Sequence, residues 1–340
     1  MVNLNFISDT VTKPTKGMLE AMFNAQVGDD VFMQDPTVNK LQEKVADMFG
    51  MEEALYCSSG TQTNQIAISV HCKPGDEVIC DELSHIYLYE GGGISRNSGS
   101  SVRLIKGVNG IFKLEDLKGA YNDPSNIHLP LSRMLSIENT VNKGGGLCWE
   151  WDELLRMREY CNNNNLIFHL DGARIFNAIV EKGYTTRQLG SLFDSISICL
   201  SKGLGCPVGS VLIGKRDFIN QARRVRKVFG GAMRQAGYLA AAGIYALDNH
   251  IDRLKEDHSR AKKVRDILTT LNYIGKIKPV ETNIVIFTLS DSNRNEAFSK
   301  HLESHGVKII SMGNDLWRIT THLDVNDESI NFLESVLKSF

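Results

Sequence analysis

Two hydrophobic periods alternate along the first 215 residues. Short apolar runs at 54–57, 76–81, 102–105, 134–137, 166–170, 196–200 and 210–213 have the length and bounding turn residues of buried strands. Longer segments between them carry apolar residues every three or four positions. The best marked covers 36–49. Asp35 is an N-cap, Pro36 takes the first helical position, and Val38, Leu41, Val45, Met48 and Phe49 share one face before Gly50. A helix starting near Thr15 precedes it; others are predicted over 65–70, 114–121, 149–161, 215–229 and 236–247. In the 149–161 helix the spacing turns Trp151, Leu154, Leu155 and Met157 toward the core. Strands alternating with helices predict an α/β fold with a mostly parallel, doubly wound sheet.

The pattern changes after residue 249. A long charged stretch at 250–271 leads to a strand at 283–287, a helix at 294–305, a strand at 316–322 and a last helix at 329–337. This describes a smaller α+β domain. The expected division is a large domain over 1–249, with residues 1–15 as an N-terminal arm, and a small C-terminal domain over 250–340.

Composition narrows the partners. A net charge of −2 offers no basic surface for nucleic acid. No apolar run approaches the ~18 residues of a membrane span, and Met1 to Asn5 lack a signal peptide's basic start. Seven scattered cysteines, an odd number without metal-site spacing, fit free thiols in a reducing cytoplasm.

The candidate chemistry lies at two strand ends. The 166–170 strand runs into Asp171, and the 196–200 strand into Ser201-Lys202-Gly203-Leu204-Gly205. Ligands of open α/β sheets sit outside the carboxyl ends of the strands. An acid and a lysine delivered there suit pyridoxal 5'-phosphate (PLP). The lysine amine forms a Schiff base with the cofactor, and the carboxylate keeps the pyridine nitrogen protonated so that the ring accepts electrons. Either residue alone reads better as a turn cap or a surface lysine; the pair together carries the chemistry. Gly203-Leu204-Gly205 also resembles a dinucleotide-binding turn, but a strand at 210–213 follows it where a helix is required. Ser58-Ser59-Gly60-Thr61, between a strand and a helix, can present backbone N–H groups to a phosphate or can be an ordinary cap. His85 follows a strand end, where an imidazole can stack on a flat ring. Arg223, Arg224, Arg226 and Lys227 form a basic helix face, solvated or turned to a phosphate. His169 shares a strand face with Asp171, and no cluster supports a metal site.

Five stretches together carry a resemblance: Gly28-Asp29-Asp30-Val31 with Asp35-Pro36-Thr37, Ser84-His85-Ile86-Tyr87, His169-Leu170-Asp171-Gly172-Ala173-Arg174, Leu200-Ser201-Lys202-Gly203-Leu204-Gly205, and Met233-Arg234-Gln235-Ala236-Gly237. The chain resembles the low-specificity L-threonine aldolases, fold-type I PLP enzymes that cleave β-hydroxy-α-amino acids to glycine and an aldehyde. The resemblance implies Lys202 as the Schiff-base lysine, with Ser201 beside it in the cofactor-binding set, and Asp171 as the pyridinium partner. It implies His85 stacked on the ring near the chemistry. Gly60 and Thr61 would hold the phosphate, with Arg234 arriving from a neighbouring subunit. Arg174 would lie beside the cofactor and the substrate carboxylate, and Ser8 and Arg318 would complete a carboxylate clamp. It further implies a small amino-acid substrate and a homotetramer built from dimers that share active sites.

One departure stands out. The family usually has Glu-Asn-Thr-His-Asn, with that histidine beside the substrate hydroxyl; here the position is Val141, which can take no proton. His85, Lys227 or a water must then move the proton, or the β-substituent differs from that of threonine. Phe32-Met33-Gln34 also departs from the family's Tyr-Gly-Glu, again toward lower polarity. Together these predict weaker threonine cleavage and better tolerance of a bulky β-substituent. PLP-dependent β-elimination or racemisation is the alternative, since elimination needs no hydroxyl base.

Overall fold

The computed structural model describes residues 4–340; Met1 to Asn3, the first part of the expected arm, lie outside the described residues. Seven strands form the main sheet: β1 (Glu53–Cys57), β2 (Asp76–Asp81), β3 (Ser101–Ile105), β4 (Leu131–Glu138), β5 (Ile167–Gly172), β6 (Ser195–Cys199) and β7 (Ser210–Gly214). Their spatial order is β1-β7-β6-β5-β4-β2-β3. The strands from β6 through β3 pair in parallel, while β7 runs antiparallel to both of its neighbours. The sheet is therefore mostly parallel, as its near-continuous apolar strands require. β5, β6 and β7 are buried almost throughout, and helices cover them.

Local chemistry sets the helix ends. Thr15 caps Lys16–Phe23 by accepting from Met18 N at 3.3 Å. Asp35 Oδ1 accepts from Thr37 N and Val38 N at 3.1 and 3.0 Å, and Gly50 closes that helix in the left-handed region at φ +65°. The other carboxylate oxygen of Asp35 accepts from Gly28 N and Gly237 N, so the same cap ties a loop and a distant helix together.

Several expectations change. Leu155 points to solvent at 43% exposure, while Leu154 and Met157 are buried: the face is narrower than the spacing suggested. The expected 114–121 helix is one 3-10 turn, Leu114–Leu117. Helices at Gly93–Ser98, Ile175–Lys182 and Thr186–Leu192 were not anticipated. Arg226 turns inward from its basic helix, ion-paired to Asp30 at 2.8 Å and donating to Tyr56 O at 2.6 Å.

The C-terminal unit has its own four-stranded antiparallel sheet: β8 (Ile274–Ile277), β9 (Ile284–Leu289), β10 (Ile310–Ser311) and β11 (Leu316–Thr320), in the order β10-β11-β9-β8. Its core of Val264, Phe287, Phe298, Ile319 and Leu333 is separate from that of the large sheet and includes Phe6. Residues 4–8 thus pack with the small unit: Leu4 and Asn5 pair with Val307 and Lys308, and Thr320 N donates to Phe6 O at 2.9 Å. This arm carries Ser8 and Asp9 to the junction of the two units.

Candidate active site

Three neighbouring parallel strands deliver the central groups. Register places Glu138 at the end of β4 opposite Asp171 on β5, and Asp171 opposite Ser197 on β6. β6 continues into Ser201 and Lys202, both half-buried. Lys202 Nζ lies 3.6 Å from Cys199 Sγ.

Asp171 is held before any ligand arrives. Its Oδ2 accepts from Asn64 Nδ2 at 2.9 Å and its Oδ1 from Ala173 N at 3.2 Å. Asn64 Oδ1 lies 3.3 Å from His169 Nε2, and His169 Nδ1 lies 2.8 Å from Ser195 Oγ. Burial, with His71 nearby, pushes His169 down to about 4, so it sits neutral in this seam. Thr63, Asn64 and Gln65 form the buried polar face of helix Gly60–His71. The apolar run at 65–70 marks only the rest of that helix.

His85 opens the helical turn His85–Leu88. Its Nδ1 lies 2.9 Å from Glu90 Oε1, and its backbone N donates to Glu138 Oε2 at 2.9 Å. One potential ligand atom from each of His85, Glu90 and Asp171 fall within 4.8 Å of one another. Glu138 Oε1 accepts from Asn142 N at 2.8 Å. Burial and the charge of Asp171 raise the Glu138 carboxyl to about 7 despite these bonds. Burial alone would lower His85; the hydrogen bond that its ring donates to Glu90 and the charges of Asp171, Glu90 and Glu138 outweigh it and raise the imidazole.

At one side lies the start of helix Gly60–His71. Ser59 Oγ accepts from Gln62 N at 3.2 Å, and Thr63 N bonds Ser59 O. The first N–H groups of a helix have no intrahelical acceptor, so those of Gly60 and Thr61 remain for an anion. A Cβ at Gly60 would stand 2.5 Å from Cys199 Sγ, so only glycine brings backbone this close to the lysine-bearing loop. A cavity of about 450 Å³ opens here, lined by Ser58, Ser59, Thr61 and Gln62.

At the other side two arginines meet the arm. Arg174 grips Asp9 with two bonds of 2.7 Å, and Asn283 Nδ2 also donates to Asp9 at 3.1 Å. Arg318 Nη1 donates to Asn142 Oδ1 at 3.0 Å and Nη2 to Ile7 O at 3.0 Å. Its Nε is buried without a partner among the described residues, and it makes no ion pair there. Burial and the neighbouring Arg174 lower Arg318 to about 10. Ser8 Oγ caps the adjoining turn by accepting from Thr10 N. A second cavity, of about 400 Å³, is lined by His85, Tyr89, Asn142, Ile310, Ser311, Met312 and Arg318.

The remaining residues singled out from the sequence sit elsewhere. Val141 is buried with Cγ1 against Gly110 and Gly144, and the cavity wall begins at Asn142. Lys227 is exposed on the last turn of helix Arg216–Val228. Arg234 is exposed and pairs with Asp29 at 2.8 Å. Sequence reasoning missed Asn64, Glu90, Asp9 and Asn142 and gave Glu138 no role. A run of polar residues inside an apolar helix, Thr63-Asn64-Gln65, was the one signal available.

The donor set fits PLP: an amine and a carboxylate at the carboxyl edge of neighbouring strands, an imidazole beside the carboxylate, and uncapped N–H groups for a phosphate. Residues 5–292 match the family model for β-eliminating lyases. The chain is 38% identical over 338 residues to low-specificity L-threonine aldolase 1 of Arabidopsis thaliana, covering 98% of this chain and 94% of that protein. It is 40% identical over 324 residues to the low specificity L-threonine aldolase of Escherichia coli K12, covering 95% of each. The structure of Leishmania major threonine aldolase shares its fold at a TM-score of 0.86 and 22% identity, covering 99% of both chains. The chain thus belongs to the β-eliminating lyase family, among its low-specificity L-threonine aldolases, and is a PLP-dependent lyase.

Proposed function

We propose that this enzyme cleaves the Cα–Cβ bond of β-hydroxy-α-amino acids, giving glycine and an aldehyde. The observation that carries the reading is Arg318: a buried guanidinium with an unpartnered Nε and no acidic partner among the described residues, facing the cavity that His85 also lines. A substrate carboxylate supplies the missing anion and pairs bidentately. Asn142 orients Arg318, and Asp9 holds Arg174 beside it. Ser8 stands on the same arm and belongs to this clamp.

Lys202 is the amine that carries the cofactor, with Ser201 beside it, and Asp171 is the partner of the ring nitrogen. Gly60 and Thr61 take the phosphate, and His85 stacks on the ring. When bound, PLP supplies an electron sink for the breaking bond. The chain's task is to point that bond correctly and to take the hydroxyl proton. With Val141 packed on Gly110, that side chain gives no base, and His85 is the imidazole on a cavity wall whose other titratable groups are Tyr89 and Arg318. The opposite wall, Ile310 and Met312, is apolar and suits a bulky β-substituent.

We propose the boundary at 249/250 on the two separate cores, with the start of the next segment still tied to the large sheet through Ile251 and Leu254 and the arm tied to the small unit through Phe6. We further propose a homotetramer of dimers with shared sites. Supporting it, Lys227, Arg234, Phe32 and Val228 are all exposed on the single chain, Arg234 already paired with Asp29. Seven free, buried cysteines support a cytoplasmic location, and no helix among the described residues is long and apolar enough to cross a membrane.

The test is a product assay on threonine, allo-threonine and phenylserine. Glycine plus aldehyde is expected, with phenylserine preferred to threonine. Ammonia plus keto acid, or the mirror-image amino acid, would overturn the reading. Lys202→Ala should lose the cofactor's visible absorption band and lower kcat by roughly 10³-fold or more.

A further inference from the structure

We propose that Glu90 is the positioning residue that makes His85 the proton acceptor for the substrate β-hydroxyl, by fixing Nδ1 and presenting Nε2 to the substrate cavity. The proposal rests on the aldol-cleavage reading above.

Glu90 is an unusual carboxylate. Its side chain is fully buried, yet it makes no bond to Arg or Lys. Oε1 accepts from Asn64 Nδ2 at 2.9 Å and meets His85 Nδ1 at 2.9 Å, and Oε2 accepts from Gln65 Nε2 at 2.6 Å. Gln65 is itself oriented by Asn97 Nδ2 at 3.1 Å. Two amides and one imidazole thus hold the carboxylate, and the imidazole is the only one of the three that titrates.

The turn after Glu90 exists to make this possible. Gly91 and Gly92 adopt φ of +63° and +69°, and a Cβ at Gly93 would stand 2.4 Å from Gln65 Cδ. The triple glycine reverses the chain tightly enough to press Glu90 against helix Gly60–His71.

With Nδ1–H committed to Glu90, the neutral imidazole keeps its lone pair on Nε2. Nε2 has no hydrogen-bond partner among the described residues, and His85 lines the cavity with Asn142 and Arg318. The charged and titratable groups around His85 are Glu90 before the glycine turn, Glu138 on β4, Asp171 on β5, and Tyr89 and Arg318 on the cavity wall. Three carboxylates against one arginine favour an imidazolium, so the proton is taken readily once the hydroxyl is in place. In the step, the hydroxyl proton passes to Nε2 and the oxygen closes to the aldehyde C=O. The Cα–Cβ bond breaks, and its electron pair remains with the glycine fragment, which takes one proton from solvent at Cα. The imidazolium returns its proton to solvent, to which the His85 side chain is 31% exposed.

The experiment compares wild type, Glu90→Gln, His85→Asn and the double variant as holoenzymes on phenylserine. Glu90→Gln should lower kcat roughly tenfold or more and move the acid limb of its pH profile to lower pH. The His85 resonance, identified by its loss in His85→Asn, should titrate at lower pH in the same variant. Exchange of the glycine α-proton with deuterated solvent, which needs no hydroxyl base, should stay within about twofold of wild type. In the His85→Asn background the Glu90 change should add nothing. The proposal is overturned if kcat and the acid limb do not move, if α-proton exchange falls in step with cleavage, or if the two substitutions are additive. Wild-type protein that makes no aldehyde from any substrate would instead sink the aldol reading itself.

Discussion

Asp9 at the clamp end of the site and Glu138 at the ring end are both buried, and their neighbours carry opposite charge. At the clamp, Asp9 faces Arg174, with Lys202 and Arg318 nearby. Burial alone would raise its carboxyl, but the charge and hydrogen bonds of Arg174 hold it well below the ordinary range. At the ring end, Glu138 is equally buried but is met by two backbone N–H groups and by a second carboxylate, Asp171, and it rises to about 7. The sign of the neighbours decides the outcome, not the depth of burial. One end therefore keeps a surplus cation, Arg318, for a carboxylate. The other gathers Glu90, Glu138 and Asp171 around His85 and suits a protonated ring nitrogen and a travelling proton.

The strongest way to break this contrast is Asp9→Asn. It leaves Arg174 as a buried charge without its partner, which costs about 3–5 kcal/mol. Urea unfolding at pH 7 should show that loss, with a raised KM for substrate as Arg174 shifts. The pH dependence has a definite sign. The folded pKa of Asp9 lies below its unfolded value, about 3.9. Its stabilisation is present above that value and is lost as pH falls through the folded pKa. The gap between wild type and Asp9→Asn should thus hold from pH 7 to 5 and close in acid. A gap under about 1 kcal/mol at pH 7 would mean that the ion pair does not govern this end.

Glu138→Gln sharpens the same contrast from the other side and should have a smaller effect. Glu138 titrates near 7 in the folded chain, above its unfolded value of about 4.3. Stability from this group is fully present below the unfolded value and is lost as pH rises through 7. The glutamine has one acceptor oxygen for two N–H donors, so the variant is the less stable protein in acid. That difference should narrow by about 1–3 kcal/mol between pH 5 and pH 8.5. Denaturation at the two pH values checks it, and a difference that stays constant would show the carboxyl to be charged throughout.

The two ends also differed in how legible they were. Lys202 and Asp171 stood at the ends of apolar strands, so the pattern put both at the carboxyl edge of the sheet; that the two strands are neighbours is a matter of sheet order, which pattern does not give. The doubly wound sheet was visible from the same pattern. Asp9, Glu90 and Asn142 sit in short polar segments without period. Asp9 meets Arg174 only because the arm packs on the small unit's core through Phe6. No local rule connects residues 165 positions apart. Val141 shows the limit in the other direction. Its identity was plain, and its consequence for the base rests on the chemistry of valine alone. Its placement against Gly110 depends on a glycine φ of +82° thirty-one positions earlier. Leu155 failed because spacing counts faces and not their width.

The smallest predicted effect concerns the wall that neither end charges. Ile310 and Met312 belong to the small unit, beside the β10–β11 pairing that also carries Arg318. A substrate whose carboxylate pairs with Arg318 puts its β-substituent within reach of them. An aromatic substituent buries apolar area there, whereas the methyl of threonine is too short to gain much. Trimming either side chain to alanine removes a contact worth on the order of 1 kcal/mol. Ile310→Ala and Met312→Ala should each raise KM for phenylserine about three- to tenfold. Both should leave KM for threonine, and kcat for either substrate, nearly unchanged, because uniform binding is lost without touching the reacting atoms. Equal losses on threonine would place the β-substituent elsewhere, and the discrimination would then have to come from the charged ends after all.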